Sequence, residues 1–270
     1  MASFICPVCS GKFTDLGRTL KCEKGHCFDK SKFDYVNLLM SNASSDKRHG
    51  DDRLMIRSRR DFLSKGYYSF LLDEICDVCN KYLPGNAVIL DAGCGECYYS
   101  GEISKRNPGF EMLGIDISKD ALEFAHKRGI DFPLAVGSLF NMPVEKETCD
   151  CVLNCFSPKA DDEFHRVLKN GGILIRIVPL EEHLFSLKAA IYEKPYLNEH
   201  PEADMHGFKL LEYREIRKEL KLNSPEDVTA LFKMTPYYYK TGREDQQKLE
   251  ALTDFTTCAA FGIQVYGKEA

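Results

Sequence analysis

Apolar and polar positions follow different periods along the chain. From residue 54 to about residue 82, Tyr68, Leu71, Leu72, Ile75, Cys79 and Tyr82 recur at helical spacing and Pro84-Gly85 ends the run, which predicts one amphipathic helix. Beyond it, short apolar runs alternate with amphipathic stretches. Strands are expected near 87–92, 111–116, 133–136, 149–155 and 172–178, and helices near 98–106, 119–128, 160–169 and 181–192. That alternation specifies an α/β architecture, a mainly parallel sheet covered on both faces. The C-terminal third is less periodic, and 205–211, 226–234 and 256–265 are expected to supply a further helix and the last antiparallel strands. Residues 1–37 show no helical period and are rich in Cys, Lys and aromatics, while 41–52 hold almost nothing apolar. The chain therefore divides into a small module at 1–37, a linker at 38–53 and a main domain at 54–270.

Composition narrows the class. With 270 residues, 44% hydrophobic and 29% charged, there is enough apolar surface for one good core and a satellite. No apolar run of membrane-spanning length and no secretory leader profile are found, so a cytoplasmic protein with no membrane segment is expected. Of the twelve cysteines, Cys76, Cys79, Cys149, Cys151, Cys155 and Cys258 lie in apolar or amphipathic segments and read as buried free thiols. The net charge of −5 conceals an asymmetry: residues 1–65 carry thirteen Lys/Arg against eight Asp/Glu, the remainder 23 against 33. A polyanion would be met at the basic end, and Lys47, Arg48, Arg53, Arg57, Arg59 and Arg60 are its candidate phosphate contacts.

Two motifs carry chemistry. Cys6-Pro-Val-Cys9 and Cys22-Glu-Lys-Gly-His26 are two short ligand pairs separated by twelve residues, the arrangement of two knuckles closing a tetrahedron around structural Zn2+. Cys27 adjoins His26 and competes with it as the fourth ligand. Phe4, Phe13, Phe28 and Phe33 are expected to pack around the metal.

The second motif is Val88-Ile-Leu-Asp-Ala-Gly-Cys-Gly-Glu-Cys97, an apolar strand entering a glycine turn, with Asp116 placed 21 residues after Gly95. Gly93 and Gly95 permit close approach of a ligand to the main chain, and an acid one strand later accepts ribose hydroxyls, so the pattern marks an adenosine binder at the carboxyl ends of the first strands. The dinucleotide pattern is broken by Tyr98 at its last glycine position. Asp91 and Glu96 would repel a pyrophosphate but suit S-adenosyl-L-methionine, which carries a sulfonium, an ammonium and no phosphate.

The order of zinc knuckles, Arg-rich helix and glycine turn resembles the RlmA-type family of 23S rRNA (guanine-N1)-methyltransferases over nearly the whole length. The resemblance is carried by CPVC and CEKGHCFD, YVNLL at 35–39, RSRRDFLSKGYY at 57–68, DAGCGECYY at 91–99, LEEHLFSLKAAIY at 180–192 and MTPYYY at 234–239. It implies a class I, Rossmann-like methyltransferase with a small N-terminal zinc-binding domain, in which Cys6, Cys9, Cys22 and His26 hold zinc and Tyr68, Glu96, Cys97 and His183 line the donor pocket. Asp91, Gly93, Gly95 and Asp116 join them on general methyltransferase grounds. The chain departs from the pattern at Cys97, where a glycine usually ends the turn, and at Ser138, where many relatives carry an acid; main-chain groups around Ser138 and Leu139 would then read adenine. The implied reaction is methylation of guanine N1 in a hairpin of 23S rRNA, with Asn154, Phe156 and Ser157, at the end of the fourth strand of the sheet, as candidates for contacting the target base. A homodimer is left open. Two rival readings are a small-molecule, quinone-type methyltransferase and a non-catalytic RNA-binding protein with a degenerate methyltransferase fold; donor binding and methyl transfer to RNA separate them.

Overall fold

A computed structural model describes residues 3–40, 51–250 and 252–269. Lys47, Arg48 and most of the 38–53 linker lie outside the described residues. The order of elements is β1 (Phe13–Asp15), β2 (Thr19–Cys22), β3 (Cys27–Asp29), β4 (Tyr35–Asn37), α1 (Arg53–Ser64), α2 (Ser69–Tyr82), β5 (Val88–Ala92), α3 (Tyr98–Arg106), β6 (Glu111–Asp116), α4 (Lys119–Lys127), β7 (Leu134–Val136), β8 (Cys149–Cys155), α5 (Asp161–Val167), β9 (Leu168–Pro179), α6 (Phe185–Ile191), β10 (Phe208–Leu222), α7 (Pro225–Lys233), α8 (Arg243–Glu250) and β11 (Phe255–Lys268).

β1–β3 form a small antiparallel sheet. The large sheet runs β10-β11-β9-β8-β5-β6-β7-β4. Its interior strands β5 to β9 are parallel, as expected of near-continuous apolar runs, and the long β10 and β11 close one edge antiparallel. Strand order reverses between β5 and β8, which opens a crevice at their carboxyl ends. Alternate residues face opposite layers: Ile89, Leu153, Ile175 and Ile177 pack with Leu71, Ile103, Leu187 and Leu231 on one side, and Leu90, Val152 and Leu174 with Phe164 on the other.

The single helix expected over 54–82 is instead two. Gly66 takes φ +80°, the Lys65 and Gly66 amides close α1 onto Phe62 O and Leu63 O, and Tyr68 becomes the N-cap residue of α2. Asp227 of α7 fastens the break by accepting from Lys65 Nζ and, at 2.8 Å, from Tyr67 Oη. The helix expected over 181–192 shortens to α6, because Leu184 enters it in the left-handed conformation.

The metal-binding segment is joined to the large sheet through its last strand. β4 pairs parallel with β7 at the edge of the large sheet, and Phe4 bridges Val144 while Ile5 N–H donates to Pro143 O at 2.9 Å. Phe13 and Phe28 pack edge to face within the ribbon and against the core cluster that holds the buried Phe4, and Phe33 lies against His126 of α4. Cys76, Cys79, Cys149 and Cys151 are buried free thiols, whereas Cys155 and Cys258 are half-buried.

Candidate functional site

The ribbon brings Cys6 Sγ, Cys9 Sγ, Cys22 Sγ and one ring nitrogen of His26 within 4.8 Å of one another. His26 Nδ1 lies 3.5 Å from Cys6 Sγ and 3.3 Å from Cys22 Sγ, and the Cys9 and Cys22 sulfurs are 3.6 Å apart. Ligands on a tetrahedral zinc stand about 3.5–3.8 Å from each other, so this donor set fits the metal, closed and structural. Gly25, at φ +85°, turns the second knuckle so that the chain reaches His26. Cys27 is outside the cluster, which includes His26: the Cys27 thiol is exposed and points to Gly25 O.

The second site grows from the end of β5. Gly93 and Cys94 amides both donate to Ile115 O, the Gly95 amide donates to Asp116 Oδ2 at 2.8 Å, and the Ser118 amide donates to Asp116 Oδ1 at 2.8 Å. Asp116 thus holds two turns together at the rim of the crevice. A Cβ on Gly93 would stand 1.9 Å from Ser157 Oγ, so the turn tolerates only glycine there. Cys97 ends the turn at φ 60°, where glycine would be unstrained, and its side chain is fully buried. Leu139 lies 3.7 Å from the same Gly93 Cβ position, and Ser138 Oγ accepts from the Phe140 amide. The β7 turn therefore flanks the glycine turn.

Several polar atoms in this crevice are buried without a partner: Tyr68 Oη, Asp91 Oδ1, Glu96 Oε2, Tyr99 Oη and Ser100 Oγ. Each such group costs on the order of 1–3 kcal/mol unless something completes it. Burial raises the Asp91 carboxyl to about 7. It raises Glu96 to about 7 as well, against the pull of the Arg128 guanidinium 2.7 Å away. Asp116 is raised by burial in spite of its two amide donors. A cationic ligand would let all three ionise, and the donor set suits the ammonium, sulfonium and ribose of an adenosyl amino acid.

Across the crevice the walls are aromatic. Phe261 of β11 touches Tyr68, Phe156 and His183 at ring separations of 5.0, 5.3 and 4.6 Å, and Tyr99 lies 6.3 Å from Phe156. His183 accepts from the Ala260 amide through Nδ1 and is held neutral, burial pushing it down to about 3. Phe156 follows β8 at φ 55° and is 46% exposed, whereas Asn154 is fully buried and spends its amide on Ala92 O and Pro158 O. Of the three β8 candidates, Phe156 presents a face to solvent, Ser157 packs on Gly93 and Asn154 ties the two strand ends together. Tyr99, Arg128 and Phe261 were not singled out from the sequence; Phe261 lies in the least periodic third of the chain and carries no local signal.

The described arginines of α1 are all paired with acids: Arg53 with Asp120 and Glu123, Arg57 and Arg60 with Asp61, Arg59 with Asp51. They do not make an open basic strip.

Sheet order, glycine turn and crevice define a class I S-adenosylmethionine-dependent methyltransferase carrying an N-terminal zinc ribbon. Residues 89–172 match the model of a methyltransferase domain and residues 4–45 that of the RlmA N-terminal zinc ribbon. The chain is 34% identical over 200 residues to the Bacillus subtilis protein YxjB, named as a 23S rRNA (guanine-N(1)-)-methyltransferase, covering 70% of this chain and 68% of that protein. It is 29% identical over 189 residues to the 23S rRNA (guanine(748)-N(1))-methyltransferase of Streptomyces fradiae, covering 69% and 66%. In fold it is similar to a chain of the complex between the Haloferax volcanii Trm112 methyltransferase activator and a methyltransferase, with TM-score 0.50 and 14% identity over 82% of this chain and all of that one. The chain belongs to the family of 23S rRNA (guanine-N1)-methyltransferases.

Proposed function

We propose that this protein transfers a methyl group from S-adenosyl-L-methionine to N1 of a guanine in a hairpin of 23S rRNA, in the cytoplasm. The observation that carries the reading is the pair of buried carboxylates, Asp91 and Glu96, each with one oxygen left without a partner, beside a glycine turn in a chain of this family. Asp91, Glu96 and Tyr68 would hold the amino-acid end of the donor, Asp116 its ribose, and the Ser138–Leu139 turn its adenine, with Gly93 and Gly95 keeping the floor of the pocket clear and Cys97 setting the turn. The donor supplies a methyl made electrophilic by the sulfonium. What the chain adds is alignment and exclusion of water.

Guanine N1 lies on the Watson–Crick edge, so the target has to be unpaired or turned out of its helix. Phe156 offers a ring on which such a base can stack, and His183, held neutral and anchored to β11, walls the same space without adding a positive charge next to the sulfonium. The ribbon within residues 1–37 would present the RNA loop. The test is transfer of labelled methyl from the donor to unmodified 23S rRNA, followed by mapping of the modified base as a reverse-transcription stop. Transfer into a metabolite extract with none into RNA would replace this reading by the small-molecule one.

A further inference from the structure

An adenosyl amino acid brings a carboxylate as well as its cations, and the crevice is already crowded with Asp91, Glu96 and Asp116. That anion requires a cation inside the pocket. Arg128 already neutralises Glu96, with Nη2 2.7 Å from Glu96 Oε1 and its guanidinium over the Tyr98 ring, although its Nε is buried without a partner. Arg59 is placed differently from its neighbours on α1. Arg53 and Arg60 lie over Phe124 on the outside, whereas Arg59 falls on the stripe of Met55, Phe62 and Leu63, all buried, and its side chain is only 28% exposed. Its Nη1 stands 4.0 Å from the point a Cβ on Gly95 would occupy, directly on the glycine turn. It acts electrostatically on Glu96, Tyr99 and Asp116, three groups of the crevice. Its carboxylate partner is Asp51 at 2.5 Å, a half-buried residue at the rim.

We propose that Arg59 receives the carboxylate of the methyl donor's amino-acid moiety, and that Asp51 is the stand-in anion which keeps the guanidinium compensated until the donor takes its place. This assignment rests on the reading of the pocket as an S-adenosylmethionine site. It removes Arg59 from the set of RNA-phosphate contacts.

The test compares two ligands by calorimetry on the zinc-loaded full chain: S-adenosylhomocysteine, which has the amino-acid moiety, and 5′-methylthioadenosine, which lacks it. Arg59→Gln should weaken S-adenosylhomocysteine by roughly ten- to a hundredfold, the worth of a charge-assisted contact, while 5′-methylthioadenosine changes by less than about twofold. Unchanged 5′-methylthioadenosine binding also reports that the variant is folded. Arg59→Lys should recover part of the loss, and Asp51→Asn should tighten S-adenosylhomocysteine alone. Equal weakening of both ligands, or weakened RNA binding with neither ligand affected, overturns the role of Arg59 and leaves the donor reading standing. Failure of the unaltered protein to bind either ligand overturns both.

Discussion

Gly93 is where one missing methyl group decides the geometry of the crevice. A Cβ there would meet Ser157 Oγ at 1.9 Å and Ser157 Cβ at 2.6 Å, and the residue is at φ +86°. Gly93→Ala should therefore lower stability by about 2–4 kcal/mol, from overpacking plus the left-handed backbone. Adding Ser157→Gly should return the steric part and leave about 1–2 kcal/mol, a coupling readable in a denaturation double-mutant cycle. The buried acids predict a pH dependence of opposite sign to the usual one. Asp91 and Glu96 have folded values near 7 against ordinary values of 3.8 and 4.5, so between those limits the folded state binds more protons and stability falls as pH rises. Denaturant titrations of the ligand-free protein should show greater stability at about pH 6.5 than at about pH 8, and Asp91→Asn should flatten that slope. His183 works the other way: it is neutral when folded and titrates near 6.5 when unfolded, so it removes stability as pH falls below that value.

At the scale of elements, the break between α1 and α2 positions more than its length suggests. The turn at Lys65–Tyr67 delivers Tyr68 to the crevice, and it is held from outside by Asp227, a residue near the start of α7 whose own backbone is capped by Ser224. Burial opposes the Asp227 charge, yet Lys65 and Tyr67 hold its carboxyl below the ordinary range. Asp227→Ala strands the Tyr67 hydroxyl and loosens the turn, and it should cost about 1–3 kcal/mol in thermal or chemical unfolding. Donor affinity should fall with it, because Tyr68 loses its fixed entry into α2. Binding as tight as that of the unaltered protein would show that α2 packing alone places Tyr68.

For the whole molecule, the decisive junction is the edge of the sheet. The ribbon is too small to fold on apolar burial and depends on its metal, yet β4, Phe4 and Ile5 seal the edge of the large sheet at β7 and Val144. Chelation of zinc should melt β1–β3 first. Hydrogen exchange should then show β4 and β7 losing protection while β5 and β8, buried in the sheet interior, retain theirs. Loss of protection across the whole sheet at once would mean that ribbon and sheet fold as one cooperative unit. Among the described residues no helix is long and apolar enough to cross a membrane.

Local information was enough for much of this. The strands expected near 111–116 and 149–155 and the helix near 98–106 coincide with β6, β8 and α3, because each is a short segment whose periodicity is set by neighbours along the chain. The zinc knuckles were legible for the same reason: ligands three and four residues apart define their own geometry. What spacing alone left open depended on partners far away in sequence. The split of the 54–82 helix is fixed by Asp227, some 160 residues on; the fate of the α1 arginines by the carboxylates that reach them; the pocket wall by Phe261 at the far end of the chain. The sequence determined the kinds of element and the chemistry available, since propensity and ligand spacing act over a few residues. Which charges face the crevice, and which are spent on one another, was decided only when the sheet brought those residues together.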